Sequence, residues 1–328
     1  MRICVFGAGS IGGNFAARLA AAGNDVSVVA RGAHLDAIRA RGLVLLTGDR
    51  RIVAPVRASD RPSDLGPQDA VLVTMKSSGL GVLAENVGPL LRSDTAVAFV
   101  QNGIPWWYGH GLGPSRPPAP DLSRLDPGGA LARAVGLDRA VGAVVTSSNH
   151  VVEPGVVHNI SPQRNTLWVA ETDDRPSPRI DALRAALLAA GIASPPTRDI
   201  RYDIWHKLMA NLTGSTVCLI LGQPNTIQKM SEINRLCRRA HAEALAVAAA
   251  HGVVLDDSPE QRYGPSREYP DHRPSILQDY ELGRLMEVES IVRAPLAFAR
   301  SAALDTPTLD AIESLCVSLA ASKGLYTP

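Results

Sequence analysis

Close to the amino terminus an apolar stretch, residues 3–6, runs into Gly7-Ala8-Gly9-Ser10-Ile11-Gly12, and an alanine-rich segment follows to residue 22. A strand, a glycine-spaced turn and a helix in that order limit the possible folds more than any other feature. The first glycine permits the tight turn, the second lets a ligand approach the backbone, and the third lets helix and sheet pack closely. The helix start then presents free N–H groups and the positive end of its dipole, which suit a phosphate. Such a turn can also exist without a nucleotide. Here a second strand, residues 26–30, follows at the spacing of a βαβ unit, so a dinucleotide site is the reading.

The end of that second strand bears on which dinucleotide. A carboxylate there would hold ribose hydroxyls, but the chain has Ala30-Arg31, and Asp25 comes too early in the strand to serve. An arginine suits a 2′-phosphate, so NADP(H) is the expected cofactor.

Further short apolar runs alternate with helical patterns, as in a parallel sheet wrapped by helices. Residues 33–40 read as a short helix, 70–74 and 95–100 as strands separated by a helical stretch at 80–91. Residues 141–146, 151–160 and 166–170 read as the strands that finish the sheet. Between 105 and 136 lies an irregular stretch with Trp106-Trp107-Tyr108 and a Pro/Gly-rich segment. It is too long for a bare connection and reads as a surface loop or lid. Its aromatic residues either wall a pocket or pack the loop onto the sheet. From residue 198 helical patterns take over, at 200–212, 227–251, 276–303 and 309–322. The expected division is a dinucleotide-binding domain over 1–197 and a helical domain over 198–328.

Bulk properties exclude other classes. The 328 residues carry 33 basic and 32 acidic side chains, a formal net charge of +1, with no basic run to attract nucleic acid or an anionic membrane. No apolar stretch is long enough to span a bilayer and no signal-peptide pattern is visible, so a cytoplasmic protein is expected. Cys4, Cys218, Cys237 and Cys316 are scattered without metal-ligand spacing and read as core residues; no metal is expected.

A second constellation lies at residues 204–212, Ile-Trp-His-Lys-Leu-Met-Ala-Asn-Leu. Lys207 and Asn211 are i,i+4 neighbours on one helix face, and Trp205, Leu208, Met209 and Leu212 cover the others. Ser215 comes one turn later if the helix continues through Gly214. A lysine in such a setting commonly snorkels to solvent; alternatively its ammonium gives a proton to an alkoxide as hydride arrives at carbon. Further on, Ser275 and Asp279 share the face of a helix that also reads as carrying Glu287.

In this order the segments Gly7–Gly12, Arg31, Val73-Thr74-Met75-Lys76, Gln101-Asn102-Gly103, Trp205-His206-Lys207-Leu208 with Asn211, and Ser275-Ile276-Leu277-Gln278-Asp279 with Glu287 resemble the ketopantoate reductase (2-dehydropantoate 2-reductase) family over essentially the whole chain. The resemblance implies an α/β Rossmann domain with a mostly parallel sheet, followed by an all-α domain, with the active site in the cleft between them. It implies an NADP-dependent oxidoreductase acting on CH–OH, reducing a small 2-oxo acid, and a homodimer paired through the helical domain. By the same resemblance Lys207 is the general acid, and Asn102 and Glu287 contact cofactor and active site. Gly7, Gly9, Ser10, Ile11, Gly12, Arg31, Lys76 and Ser148 bind cofactor; Asn211, Ser215, Asn225 and Ser275 bind substrate.

Two departures stand out. The chain has Ser215-Thr216 where the family usually has Asn-Pro, and the 106–129 loop is longer than in compact members. A group held by the longer carboxamide would meet only a short hydroxyl arm. A missing buried hydrogen bond is a large discrimination term. A related reductase of another carbonyl or an imine therefore stays open, as does a catalytically weak NADP-binding sensor.

Overall fold

Strands that are apolar on both faces are stable only in a sheet covered on both sides. In the computed structural model, which describes residues 1–328, such strands form the larger of two sheets. The strands are β1 (Arg2–Phe6), β2 (Asp25–Val29), β3 (Leu43–Thr47), β4 (Arg50–Ala54), β5 (Arg57–Ser59), β6 (Ala70–Val73), β7 (Ala96–Phe99), β8 (Ala140–Thr146), β9 (Asn149–Glu153), β10 (Val156–Asn159) and β11 (Thr166–Glu171). The helices are α1 (Ser10–Ala21), α2 (Gly32–Arg41), α3 (Leu80–Asn86), α4 (Ala130–Val135), α5 (Pro178–Ala189), α6 (Ile200–Ala210), α7 (Thr216–Leu221), α8 (Ser231–Ala250), α9 (Pro259–Tyr263), α10 (Ser275–Glu281), α11 (Ala294–Ser301) and α12 (Pro307–Ser322).

The chain divides into two compact units, Met1–Gln101 with Gly128–Ile200, and Asn102–Pro127 with Arg201–Pro328. The segment 102–127 thus keeps company with the helices, although it precedes the expected division at 197.

In the first unit the large sheet has the order β11-β8-β7-β6-β1-β2-β5, parallel except for β11 against β8. Strand order reverses at β1, and a ligand crevice is expected at the carboxyl ends of the strands there. The expected single strand over 151–160 is instead a hairpin, β9 and β10 around Gly155 at φ +78°, and it leaves the large sheet. It builds a second sheet, β4-β3-β10-β9, with two strands that sequence reading missed.

Helix α1 packs against both sheets. Its residues Gly12, Gly13, Asn14, Phe15, Ala16, Ala17 and Leu19 are all buried, so little of it faces water, and its small residues follow from that. The buried polar seam is satisfied internally, as burial demands. Asn14 Nδ2 donates to Asn165 Oδ1 at 2.9 Å, and Arg18 donates to Asn14 Oδ1, Thr47 Oγ1 and Asn159 Oδ1 at 2.9, 3.0 and 3.2 Å.

The second unit contains no strands. Two of the aromatic loop residues are among its most deeply buried side chains. Trp107 and Tyr108 are 1% and 2% exposed. Tyr108 meets Phe298 edge-on at 5.0 Å and accepts a hydrogen bond from Trp205 Nε1 at 2.8 Å. The fully buried Arg201 guanidinium lies 5.7 and 5.2 Å from the Trp107 and Tyr108 rings and donates to the Tyr108 and His110 carbonyls. All four cysteines are buried and free, and burial pushes the Cys4, Cys237 and Cys316 thiols up to about 12.

Arg201→Met roughly keeps the volume of the side chain but strips the buried Tyr108 carbonyl and the part-buried His110 carbonyl of a donor. It is expected to cost about 2–4 kcal/mol in urea unfolding, against about 0.5 kcal/mol or less for the exposed Arg235→Met.

Candidate active site

The candidate residues fall into two groups, one in each unit. In the first unit Gly7 adopts φ +106°, a conformation that favours glycine, and its N–H donates to the Val29 carbonyl at 3.1 Å. A Cβ on Gly12 would lie 2.1 Å from the Gly7 carbonyl oxygen and 2.4 Å from Thr74 Oγ1, which itself donates to that carbonyl at 2.6 Å. Gly12 is therefore required by packing within the chain. Gly9 is different: it is exposed, its φ is −69°, and a Cβ there would meet nothing within 4 Å. Nothing in the protein needs a glycine at this position, which is what close approach of an external group to the backbone requires.

Gly9 is the N-cap of α1, with Ser10 and Ile11 in the first turn; no side chain caps the helix and no acidic residue lies in that turn. These free amides and this charge balance fit a dinucleotide diphosphate. Arg31 is exposed at the N-cap of α2, just past β2, while Asp25 at the other end of the strand faces Arg2 and Arg57 at 3.6 Å each. Lys76 is half-buried just past β6, in a stretch whose Val73 and Met75 carbonyls are held by Gln101 Nε2 at 3.0 and 2.9 Å. Ser148 sits between β8 and β9, and its carbonyl accepts from Asn159 Nδ2 at 3.1 Å, at the edge of the polar seam that holds α1.

Sequence reading passed over His34. Its Nε2 donates to the Ala8 carbonyl at 2.7 Å, and its Nδ1 accepts from the Gly155 N–H at 3.0 Å. An N–H can only donate, so the neutral Nε2–H tautomer is required, and the ring ties the glycine turn to the β9–β10 hairpin.

In the second unit Lys207, Asn102 and Glu287 form one chain of hydrogen bonds. Lys207 Nζ donates to Asn102 Oδ1 at 2.8 Å, and Asn102 Nδ2 donates to Glu287 Oε2 at 3.0 Å. An ammonium only donates and a carboxylate only accepts, so the carboxamide has one consistent orientation. Burial lowers the Lys207 ammonium to about 8, with the Glu287 carboxylate acting in the opposite direction. Gly103 makes the approach possible: at φ +82° it lies where a Cβ would be 2.2 Å from the Ser290 carbonyl oxygen, and Ile104 N–H donates to that oxygen at 2.8 Å.

The helical framework differs from expectation in two places. After α6 the helix continues, but as a π-helical turn, Asn211–Ser215, before α7. Thr213 Oγ1 donates to the Met209 carbonyl and accepts from the buried Tyr263 hydroxyl, both at 2.6 Å, which fastens this turn. Glu287 is not on the helix of Ser275 and Asp279: α10 ends at Glu281, and Glu287 precedes a second π turn, Glu289–Arg293. The two π turns pack against each other. Such turns recur at functional sites because they re-aim side chains out of α-helical register.

Asn211 and Ser215 are half-buried on the first π turn, and their side chains make no hydrogen bond within the chain. The short helical turn carrying Asn225 and helix α10, which begins with the exposed Ser275, both pack on that π turn. Asn225 Oδ1 accepts from Gln228 Nε2 at 3.2 Å, which leaves its Nδ2 as the available donor.

Residues 3–110 match the family described as Ketopantoate reductase PanE/ApbA, and residues 199–318 match its C-terminal domain. A 2-dehydropantoate 2-reductase of Mesorhizobium japonicum is 38% identical over 336 residues, covering 100% of both chains. A crystal structure from Ralstonia solanacearum MolK2 has a TM-score of 0.89 at 32% identity, covering 99% of each chain. The crystal structure of 2-dehydropantoate 2-reductase from Geobacter metallireducens has a TM-score of 0.81 at 28% identity, covering 97% of this chain and 99% of that one. No helix is long and apolar enough to cross a membrane, and no cluster of three or more His, Cys, Asp or Glu side chains could hold a metal.

The two glycines separate packing from ligand approach. Gly12→Ala should lower the melting temperature sharply, whereas Gly9→Ala should change stability by about 0.5 kcal/mol or less yet weaken dinucleotide binding in fluorescence titration. Equal loss of stability in both would make Gly9 a packing glycine. The chain belongs to the ketopantoate reductase family of oxidoreductases.

Proposed function

We propose that the protein is an NADPH-dependent reductase of a 2-oxo acid of the 2-dehydropantoate type. The observation that carries this reading is the Lys207–Asn102–Glu287 chain, an ammonium with a lowered pKa set beside hydrogen-bonding groups that hold it. When bound, NADPH supplies a hydride to the carbonyl carbon. Gly7, Gly9, Ser10, Ile11 and Gly12 would hold its diphosphate, and Arg31 its 2′-phosphate. Lys76 and Ser148 belong to the same cofactor half.

Lys207 Nζ gives its proton to the oxygen that becomes the new hydroxyl, and a later proton from water restores the ammonium. A pKa near 8 suits this work, since a donor is most effective when its pKa lies near the working pH. Asn102 aims the ammonium, and the Glu287 charge favours its protonated form. Asn211, Ser215, Asn225 and Ser275 offer neutral donors and acceptors for the substrate's carboxylate and hydroxyl groups.

A second reading rests on Ser215. Its hydroxyl replaces a longer carboxamide, so a different 2-oxo acid or related carbonyl could be preferred over 2-dehydropantoate itself. NADPH oxidation across a panel of 2-oxo acids decides between them, and tight NADPH binding without turnover of any would overturn the enzyme reading.

Lys207→Ala should abolish turnover while NADPH affinity stays nearly unchanged. In the parent enzyme kcat/KM for reduction should fall as pH rises through about 8, because only the protonated lysine donates. Arg31→Ala should weaken NADPH by about 10- to 100-fold and leave NADH nearly untouched, read by titration with each.

A further inference from the structure

Glu287 lies in a stretch between α10 and the second π turn that has little hydrogen bonding of its own. Past the turn that ends α10, the backbone bonds that hold it are Arg284 N–H to the Asp279 carbonyl at 2.8 Å, Met286 N–H to the Leu325 carbonyl at 3.0 Å, and Ile291 N–H to the Glu287 carbonyl at 3.1 Å. The middle bond comes from the segment after α12, where Leu325 is buried. One residue further, the Tyr326 hydroxyl donates to Glu289, the first residue of the π turn, and accepts from Arg124 at 3.3 Å and Arg293 at 3.2 Å. Arg124 also donates to Glu289 at 3.0 Å, and Arg293 continues to Glu313 on α12 at 3.2 Å. Burial, and then the neighbouring carboxylate, raise the Tyr326 hydroxyl above the ordinary phenol range, so it remains a donor.

We propose that Tyr326 is a positioning residue for the reaction: the Leu325 carbonyl holds the backbone just before Glu287 and the Tyr326 hydroxyl holds the Glu289 side chain just after it, which keeps the Glu287 carboxylate within hydrogen-bond reach of Asn102 and, through it, supports Lys207. The clamp engages Met286 immediately before Glu287 and Glu289 two residues after it. Arg124 is about half exposed, so its ion pair with Glu289 adds little to global stability, and its part in the clamp is to fix the register of the segment that bears the carboxylate. Glu287 is the charged group that acts on the Lys207 ammonium, so its displacement changes both the aim and the proton affinity of the donor.

This role rests on the reading of Lys207 as proton donor, and Tyr326→Phe tests it by removing the hydroxyl while keeping the ring. Expected are a fall in kcat of about 10-fold or more, unchanged NADPH binding, and a melting temperature within about 3 °C of the parent. The alkaline limb of kcat/KM should move to lower pH, since the lysine loses support from Glu287. Glu289→Ala should give the same loss and the same movement, and the double variant should be no worse than either single one, as for two residues of one network.

Parent-like kcat and pH profile in Tyr326→Phe would overturn the positioning role. So would a kcat loss accompanied by a large drop in melting temperature and an unmoved alkaline limb. Lys207→Ala in the same assay separates the two readings. If it is inactive while Tyr326→Phe behaves as the parent, only the positioning role fails; if it still turns over, the proton-donor reading fails and the positioning role with it.

Discussion

A lysine ammonium taken out of water must be compensated or it gives up its proton, and the helical unit is organised around that constraint. Burial lowers Lys207, the Glu287 charge opposes the fall, and Asn102 is the only group hydrogen-bonded to both. None of the three residues is near another in sequence. One lies on a helix, one directly after a strand, and one just before a π turn, so much of the unit's detail consists of the means that hold these backbones still. Gly103 against Ser290, Tyr263 beneath the first π turn and Tyr326 beyond the second are all of this kind.

The two units use glycine for the same physical end. At Gly12 and at Gly103 the backbone comes so near another carbonyl that no side chain fits. In one case the approach seats a helix on a strand; in the other it brings an asparagine to its partners. Gly9 lacks any such neighbour, so no contact within the chain accounts for a glycine there.

The β1-α1-β2 unit was legible because its signals are local: consecutive apolar residues, spaced glycines, and Arg31 at a fixed place. The helix bearing Lys207 was legible for the same reason, since Trp205, Leu208, Met209 and Leu212 mark its buried side. The second sheet was not. Its β10 pairs with β3, Val156 opposite Val44, across more than a hundred residues, and β4 begins with Arg50-Arg51, which hide its alternation. The π turns were invisible because apolar periodicity does not specify which carbonyl an N–H reaches. The interruption before Glu287 was concealed by apolar residues that continue in helical period past Gly283. Trp107 and Tyr108 read as loop aromatics because their partner, Arg201, is about ninety residues away and is charged.

Helix α1 has a consequence for how such a protein can evolve. Packed against two sheets, with Asn14 and Arg18 committed to Thr47, Asn159 and Asn165, it has few positions at which a substitution would be neutral. The exposed Arg31 carries no such obligations. Drift and selection can therefore rework the end of β2 freely, while α1 stays fixed. On the function proposed above, preference between the two dinucleotides is the trait that can change in a lineage built on this scaffold, and the capacity to bind one at all is the trait that persists.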